Sequence, residues 1–157
     1  MRIDILAVHR LGRTAEAGLA ADYAARATAA GRSLALGPVQ IEEVEGRKPG
    51  AVAEGEALLA AAEGAYLILC DEGGEAMTSK AFAAMIEKLR DQGERRLIFA
   101  IGGADGHAPA VKARARRTIA FGPQTWPHAL ARVMLAEQIY RAVSILAGSP
   151  YHREGPV

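Results

Sequence analysis

Three segments in the last third of the chain hold the residue types that do chemistry. Gly102-Gly103-Ala104-Asp105-Gly106-His107 sets three glycines within five positions after the apolar run Leu97 to Ile101. Glycine there lets a backbone take positive φ and approach a ligand closely. Gly122-Pro123-Gln124-Thr125-Trp126-Pro127-His128 follows a second apolar run, and its two prolines fix φ and remove two donors. The remaining N–H and C=O groups are then held in a stiff arc that could pair with a planar heterocycle. Tyr151-His152-Arg153 ends the series with an aromatic ring, an imidazole and a guanidinium in consecutive positions. Such a tail can stack on an unpaired base and grip a phosphate.

Each segment also has a plainer reading: a tight turn, a hydrophobic plug (Trp126) with a helix-start histidine (His128), and a frayed terminus. Two nucleotide-binding patterns are absent. The glycine loop reads G-G-x-x-G after a late strand, not G-x-G-x-x-G after the first, which disfavours a dinucleotide-dependent oxidoreductase. No G-K-S/T follows it, so it is not a P-loop.

The elements that must position these segments alternate. Ile3 to Val8 reads as a short strand, and Thr14 to Ala30 as an alanine-rich helix stopped by Gly31. Val39 to Val44 supports a second strand, Gly46 to Gly50 a basic loop, and Ala51 to Ala62 a second helix. Ala65 to Cys70 is a nearly continuous apolar run, as expected for a central parallel strand, and Asp71 to Gly74 is read as ending it. Thr78 or Ser79 can cap the next helix, where Phe82, Met85, Ile86 and Leu89 make one buried stripe that stops near Gly93. Arg96 to Ile101, Pro109 to Ala115, Thr118 to Phe121 and Ala129 to Leu146 complete the series as strand, helix, strand and long helix. Alternation of this kind predicts one α/β domain over residues 1–157, with a parallel-rich sheet and helices on both faces. On the last helix, Ala129, Val133, Leu135, Ala136, Ile139, Val143 and Leu146 give more apolar surface than one stripe needs, which suits either a homodimer contact or simple burial. Arg132, Glu137 and Arg141 are spaced for surface ion pairs.

Composition bounds the rest. A chain of 157 residues, 50% hydrophobic and 24% charged, can bury a core without staples. Its single cysteine, Cys70, excludes an internal disulfide, and four scattered histidines offer no metal-ligand spacing. The start carries Asp4 in a very short apolar stretch, and no run approaches membrane-spanning length. A cytoplasmic protein with no membrane and no metal is the expectation. Net charge is only +1, but residues 1–100 carry 12 Lys/Arg against 15 Asp/Glu and residues 101–157 carry 7 against 3. The basic excess thus lies beside the chemical segments, where an anionic partner would be met.

Taken together, GGADG, TWPHALARVMLAEQIYRA, the closing PYHR and CDEGGEAMTSKAFA closely resemble the methyltransferases that modify a pseudouridine in large-subunit ribosomal RNA, a branch of the SPOUT superfamily. The resemblance covers essentially the whole chain, with Cys70 where leucine is usual and Ala104 where proline is common. It implies an α/β sheet with a C-terminal trefoil knot, an exception to unknotted chains. It also implies S-adenosylmethionine as cofactor, a homodimer, and methyl transfer to N3 of the pseudouridine within rRNA processing, with large-subunit RNA, in the ribosome, as partner. By position, cofactor contacts would be Cys70, Gly102, Phe121, Gly122, Pro123, Gln124, Thr125 and Trp126. Tyr151, His152, Arg153 and Arg132 would meet the RNA. His128, His152 and Arg153 are the candidates for handling the N3 proton, and the base stays unassigned among them. A noncatalytic RNA-binding dimer that kept the fold is the alternative.

Overall fold

The computed structural model describes residues 1–153. It contains β1 (Arg2–Ala7), α1 (Ala15–Gly31), a 3-10 turn (Arg32–Leu34), β2 (Val39–Glu43), α2 (Ala51–Ala61), β3 (Tyr66–Ala76), α3 (Ser79–Asp91), β4 (Arg96–Ile101), α4 (Pro109–Arg114), β5 (Arg117–Ala120) and α5 (His128–Leu146). The strands form one parallel sheet in the order β2-β1-β4-β3-β5. The expected parallel sheet with helices on both faces is therefore what the chain builds.

Local chemistry explains the helix starts. Thr14 accepts a hydrogen bond from the Ala17 N–H at 3.2 Å, and Thr78 from the Ala81 N–H at 3.1 Å, so each satisfies a donor the first turn would leave open. Both sheet faces are covered. Ile3, Ile5 and Phe99 meet Ala20 and Ala24 of α1, Phe82 and Ile86 of α3, and Leu135, Ile139 and Val143 of α5. Leu6, Leu67, Leu69 and Ile98 meet Leu58 of α2 and Val111 of α4 on the other side. Leu135, Ala136, Ile139 and Val143 are fully buried within the chain itself, so most of the α5 stripe faces its own core. Each of the larger ones contributes about 1.5–3 kcal/mol relative to exposure. The one carboxylate inside β1, Asp4, is fully buried and is held by Arg2 at 2.8 Å and Arg96 at 2.6 Å.

One expectation is corrected. Asp71 to Gly74 does not end β3, which runs on to Ala76. Past Cys70 the strand slips register against β5, then resumes pairing as Glu75 to Ile119 and Ala76 to Ala120. Gly74 makes this possible: a Cβ there would lie 2.5–2.8 Å from the backbone of Ile119, closer than any side chain allows.

Candidate active site

The carboxyl ends of β3, β4 and β5 open into a cleft of about 440 Å³, the position where parallel α/β sheets hold ligands. Its walls come from the β3 extension (Cys70 to Glu72), the glycine loop (Gly102 to His107), the loop after β5 (Phe121, Gly122, Gln124, Thr125, Trp126) and the start of α5 (His128, Ala131).

The glycine loop is a tight reversal closed by the Gly106 N–H on the Gly103 carbonyl at 3.0 Å. Its last residue, His107, is only 7% exposed and ties the loop to β3, with Nε2 3.2 Å from the Cys70 carbonyl. Nδ1 of the same ring is buried and makes no hydrogen bond of good geometry among the described residues. Burial is the main reason the His107 imidazole titrates below the ordinary histidine value. Cys70 sits beside it, and burial pushes its thiol up to about 12, so it stays protonated and a poor nucleophile at neutral pH.

The opposite wall is braced by polar contacts. Thr125 donates to Glu72 at 2.7 Å, and the Trp126 indole N–H donates to the Phe121 carbonyl at 3.2 Å. Trp126 remains 37% exposed, so its ring faces the cleft rather than plugging the core beneath α5. Asp71 accepts from the Gly73 N–H at 2.9 Å and lies 3.7 Å from Lys112, leaving three carboxylates (Asp71, Glu72, Asp105) and one ammonium around the opening.

His128 opens α5 at the end of the cleft nearest β1, and its ring centroid lies 5.1 Å from that of His9. Burial first, then the neighbouring His9 and Arg132, lower its pKa, while Glu54 acts the other way. Behind it Arg132 is 3% exposed, pairs with Glu43 at 2.6 Å and donates to the His9 carbonyl. Burial would raise the Glu43 carboxyl, but hydrogen bonds from Arg132 and the Leu11 N–H and the charges of Arg132 and Arg10 hold it below its usual value. Arg132, expected among the RNA contacts, thus has its guanidinium turned onto Glu43 and the His9 carbonyl.

The structure gathers Cys70, Gly102, Phe121, Gly122, Gln124, Thr125, Trp126 and His128 on one cleft. Pro123 is exposed on the same loop and is not part of the lining. The tail lies elsewhere. The Tyr151 hydroxyl donates to Glu137 at 3.0 Å, its ring packs 4.6 Å from Tyr140 and 4.9 Å from the Arg141 guanidinium, and His152 Nδ1 lies 3.3 Å from Arg141. Burial, Tyr23 and Glu137 raise the Tyr151 phenol above its usual pKa. Glu137 and Arg141 sit roughly 14–20 Å along α5 from His128, so within one chain Tyr151 and His152 pack along the helix, and neither they nor Arg153 line the cleft. Sequence reading gave no role to His9, Glu43, Glu54 or His107, which are scattered over two loops, one strand and one helix with no mutual spacing to reveal them. Among the described residues no group of three or more His, Cys, Asp or Glu side chains could hold a metal ion, and no helix is long and apolar enough to cross a membrane.

Comparison with known proteins agrees with this geometry. Residues 1–152 match the family model described as "Predicted SPOUT methyltransferase". The chain is 64% identical over 154 residues to the ribosomal RNA large subunit methyltransferase H of Caulobacter sp. strain K31, covering 98% of this chain and 100% of that protein. It is 54% identical over 155 residues to the protein of the same name from Hyphomonas neptunium, covering 98% and 99%. Among solved structures, a probable methylase family protein from Haemophilus influenzae Rd KW20 superposes with a TM-score of 0.50 at 11% identity, over 99% of this chain and 72% of that one, a likeness of fold. The chain therefore belongs to the SPOUT methyltransferase family, in the branch represented by the ribosomal RNA large subunit methyltransferase H proteins.

Proposed function

We propose that this enzyme transfers a methyl group from S-adenosylmethionine to N3 of a pseudouridine in large-subunit ribosomal RNA, as a homodimer acting on the ribosome. The observation that carries the reading is the cleft, which the glycine loop and the loop from Phe121 to Trp126 line together with Cys70 to Glu72 of β3. Its chemistry fits the cofactor. Trp126 offers a plane for adenine, backbone groups of the two loops offer donors and acceptors for ring edge and ribose, and Asp71, Glu72 and Asp105 complement a doubly cationic ligand while Lys112 suits its carboxylate. His107 adds to the same wall a buried ring nitrogen with no good hydrogen bond among the described residues.

When bound, the cofactor supplies a methyl carbon on a cationic sulfur, so that the ring nitrogen's lone pair forms the new bond, the carbon–sulfur pair leaves with sulfur, and one proton leaves the nitrogen. The protein's work is to hold the nitrogen in line, keep water out and receive that proton. His128 lines the cleft, and burial lowers its pKa, which favours the neutral form a proton acceptor needs. Tyr151 and His152 lie along α5, and Arg153 follows them outside the cleft, so we assign all three to the RNA at the cleft of the partner copy. A second cavity of about 430 Å³ beside Glu137, lined by Leu19, Tyr23, Met77 and Phe82, supports an apolar contact between copies on that face. The path also favours the knotted threading: β5 ends at one sheet edge, yet residues 121–127 carry the chain across the strand ends so that α5 starts beside His9 and Glu43.

The test is incubation with labelled methyl donor and naked RNA, large subunits or whole ribosomes from cells lacking the protein, followed by mapping of the label. Label on N3 of a single pseudouridine is expected. Donor binding without incorporation into any of the three would favour a noncatalytic RNA-binding dimer.

A further inference from the structure

The wall behind His128 holds two groups to which methyl transfer assigns no task. Glu54, in the first turn of α2, and His9, just past β1, converge on the backbone of the glycine loop: a Cβ on Gly103 would lie 2.6 Å from Glu54 Oε2 and 3.2 Å from His9 Nε2. Gly103 is thus bare because a carboxylate and an imidazole occupy the place of its side chain. On its other side His9 stands ring to ring with His128, 5.1 Å between centroids. Residues from the loop after β1, from α2, from the glycine loop and from α5, far apart in sequence, meet here.

We propose that Glu54 and His9 are positioning residues that set, in opposite directions, how readily His128 takes up the proton released by the methylated nitrogen. The inference rests on the assignment of His128 to the methyl-transfer site. The nitrogen proton passes to the imidazole of His128, the imidazolium is stabilised by the Glu54 carboxylate, and the proton then leaves to water, restoring the starting state. His9 opposes imidazolium formation whenever it carries charge itself. On its own helix, Arg132 stands one turn on from His128 with a guanidinium already committed to Glu43 and the His9 carbonyl. Asp71, Glu72, Asp105 and Lys112 line the rest of the cleft. Glu54 is therefore the carboxylate on the His128 side that is not committed to the Arg132 pair. The depressed pKa of His128, owed chiefly to burial and then to His9, with Glu54 opposing, agrees with this division of roles.

The test is an NMR titration of the His128 ring in the full-length chain without donor or RNA, its signal identified by its loss in His128→Gln. Glu54→Gln should lower the titration midpoint by about half a pH unit, the size expected for losing one nearby charge at high effective dielectric. His9→Asn should raise it. The acidic limb of the single-turnover pH profile should move the same two ways, with donor affinity unchanged. A midpoint that stays put in both variants, or moves the same way in both, overturns the proposal; His9→Asn alone decides if Glu54→Gln does not fold. Absence of RNA methylation by the parent protein would instead defeat the functional assignment, because the titration reads the coupling without turnover.

Discussion

His107 illustrates how one side chain can link stability to the cleft. Its ring is buried between the glycine loop and the Cys70 carbonyl, and burial depresses its pKa. In the unfolded chain the same imidazole titrates near about 6.5. As pH falls through that value the unfolded state binds protons that the folded state refuses, so stability is lost below it and is fully present above it. The stability advantage of the parent protein over His107→Gln should therefore shrink as pH falls below about 6.5, measured by urea denaturation at a series of pH values. A gap that is constant with pH would show that His107 acts by packing alone. The glycines of this loop were legible in the sequence as a place of close approach, but what approaches was not. Gly103 meets Glu54 and His9, which lie decades of residues away and carry no spacing signal.

At the scale of elements, the helices were largely legible because caps and apolar stripes are local. Of the two expected caps for α3 it is Thr78 that serves, Thr14 caps the helix it was read as beginning, and Phe82, Met85, Ile86 and Leu89 of α3 are buried. The β3 strand was not: Asp71-Glu72-Gly73-Gly74 has turn composition, yet β5 supplies the pairing that keeps it extended. Since the neighbour of Gly74 is the Ile119 backbone and not a flexible side-chain end, Gly74→Ala should cost about 1–3 kcal/mol, read as a lower urea midpoint. It should also weaken donor binding, because Glu72 and Thr125 brace the cleft across this same join. Unchanged stability would mean that the β3 extension can part from β5 freely.

For the whole molecule the deciding feature is where the tail goes. Tyr151 and His152 pack against α5, so a chain ending at Pro150 keeps every residue that lines the cleft. Truncation after Pro150 should leave donor affinity intact while lowering methylation on the order of a hundredfold or more. Mixing the truncated chain with a full-length chain disabled in the cleft should restore part of the activity if each tail serves the partner's cleft; a truncated chain with full turnover would show that the tail is an inert end. What the sequence by itself determined is what short-range physics controls: the alternation of strands and helices, their caps, the two ligand-facing loops after strands, and the family those motifs resemble. Only the tertiary structure decided the order β2-β1-β4-β3-β5, the extension of β3, the burial of Arg132 on Glu43, and the meeting of His9, Glu54, Gly103 and His128. Periodicity reports which face of an element is buried, whereas which elements become neighbours depends on closing long loops against the whole core at once.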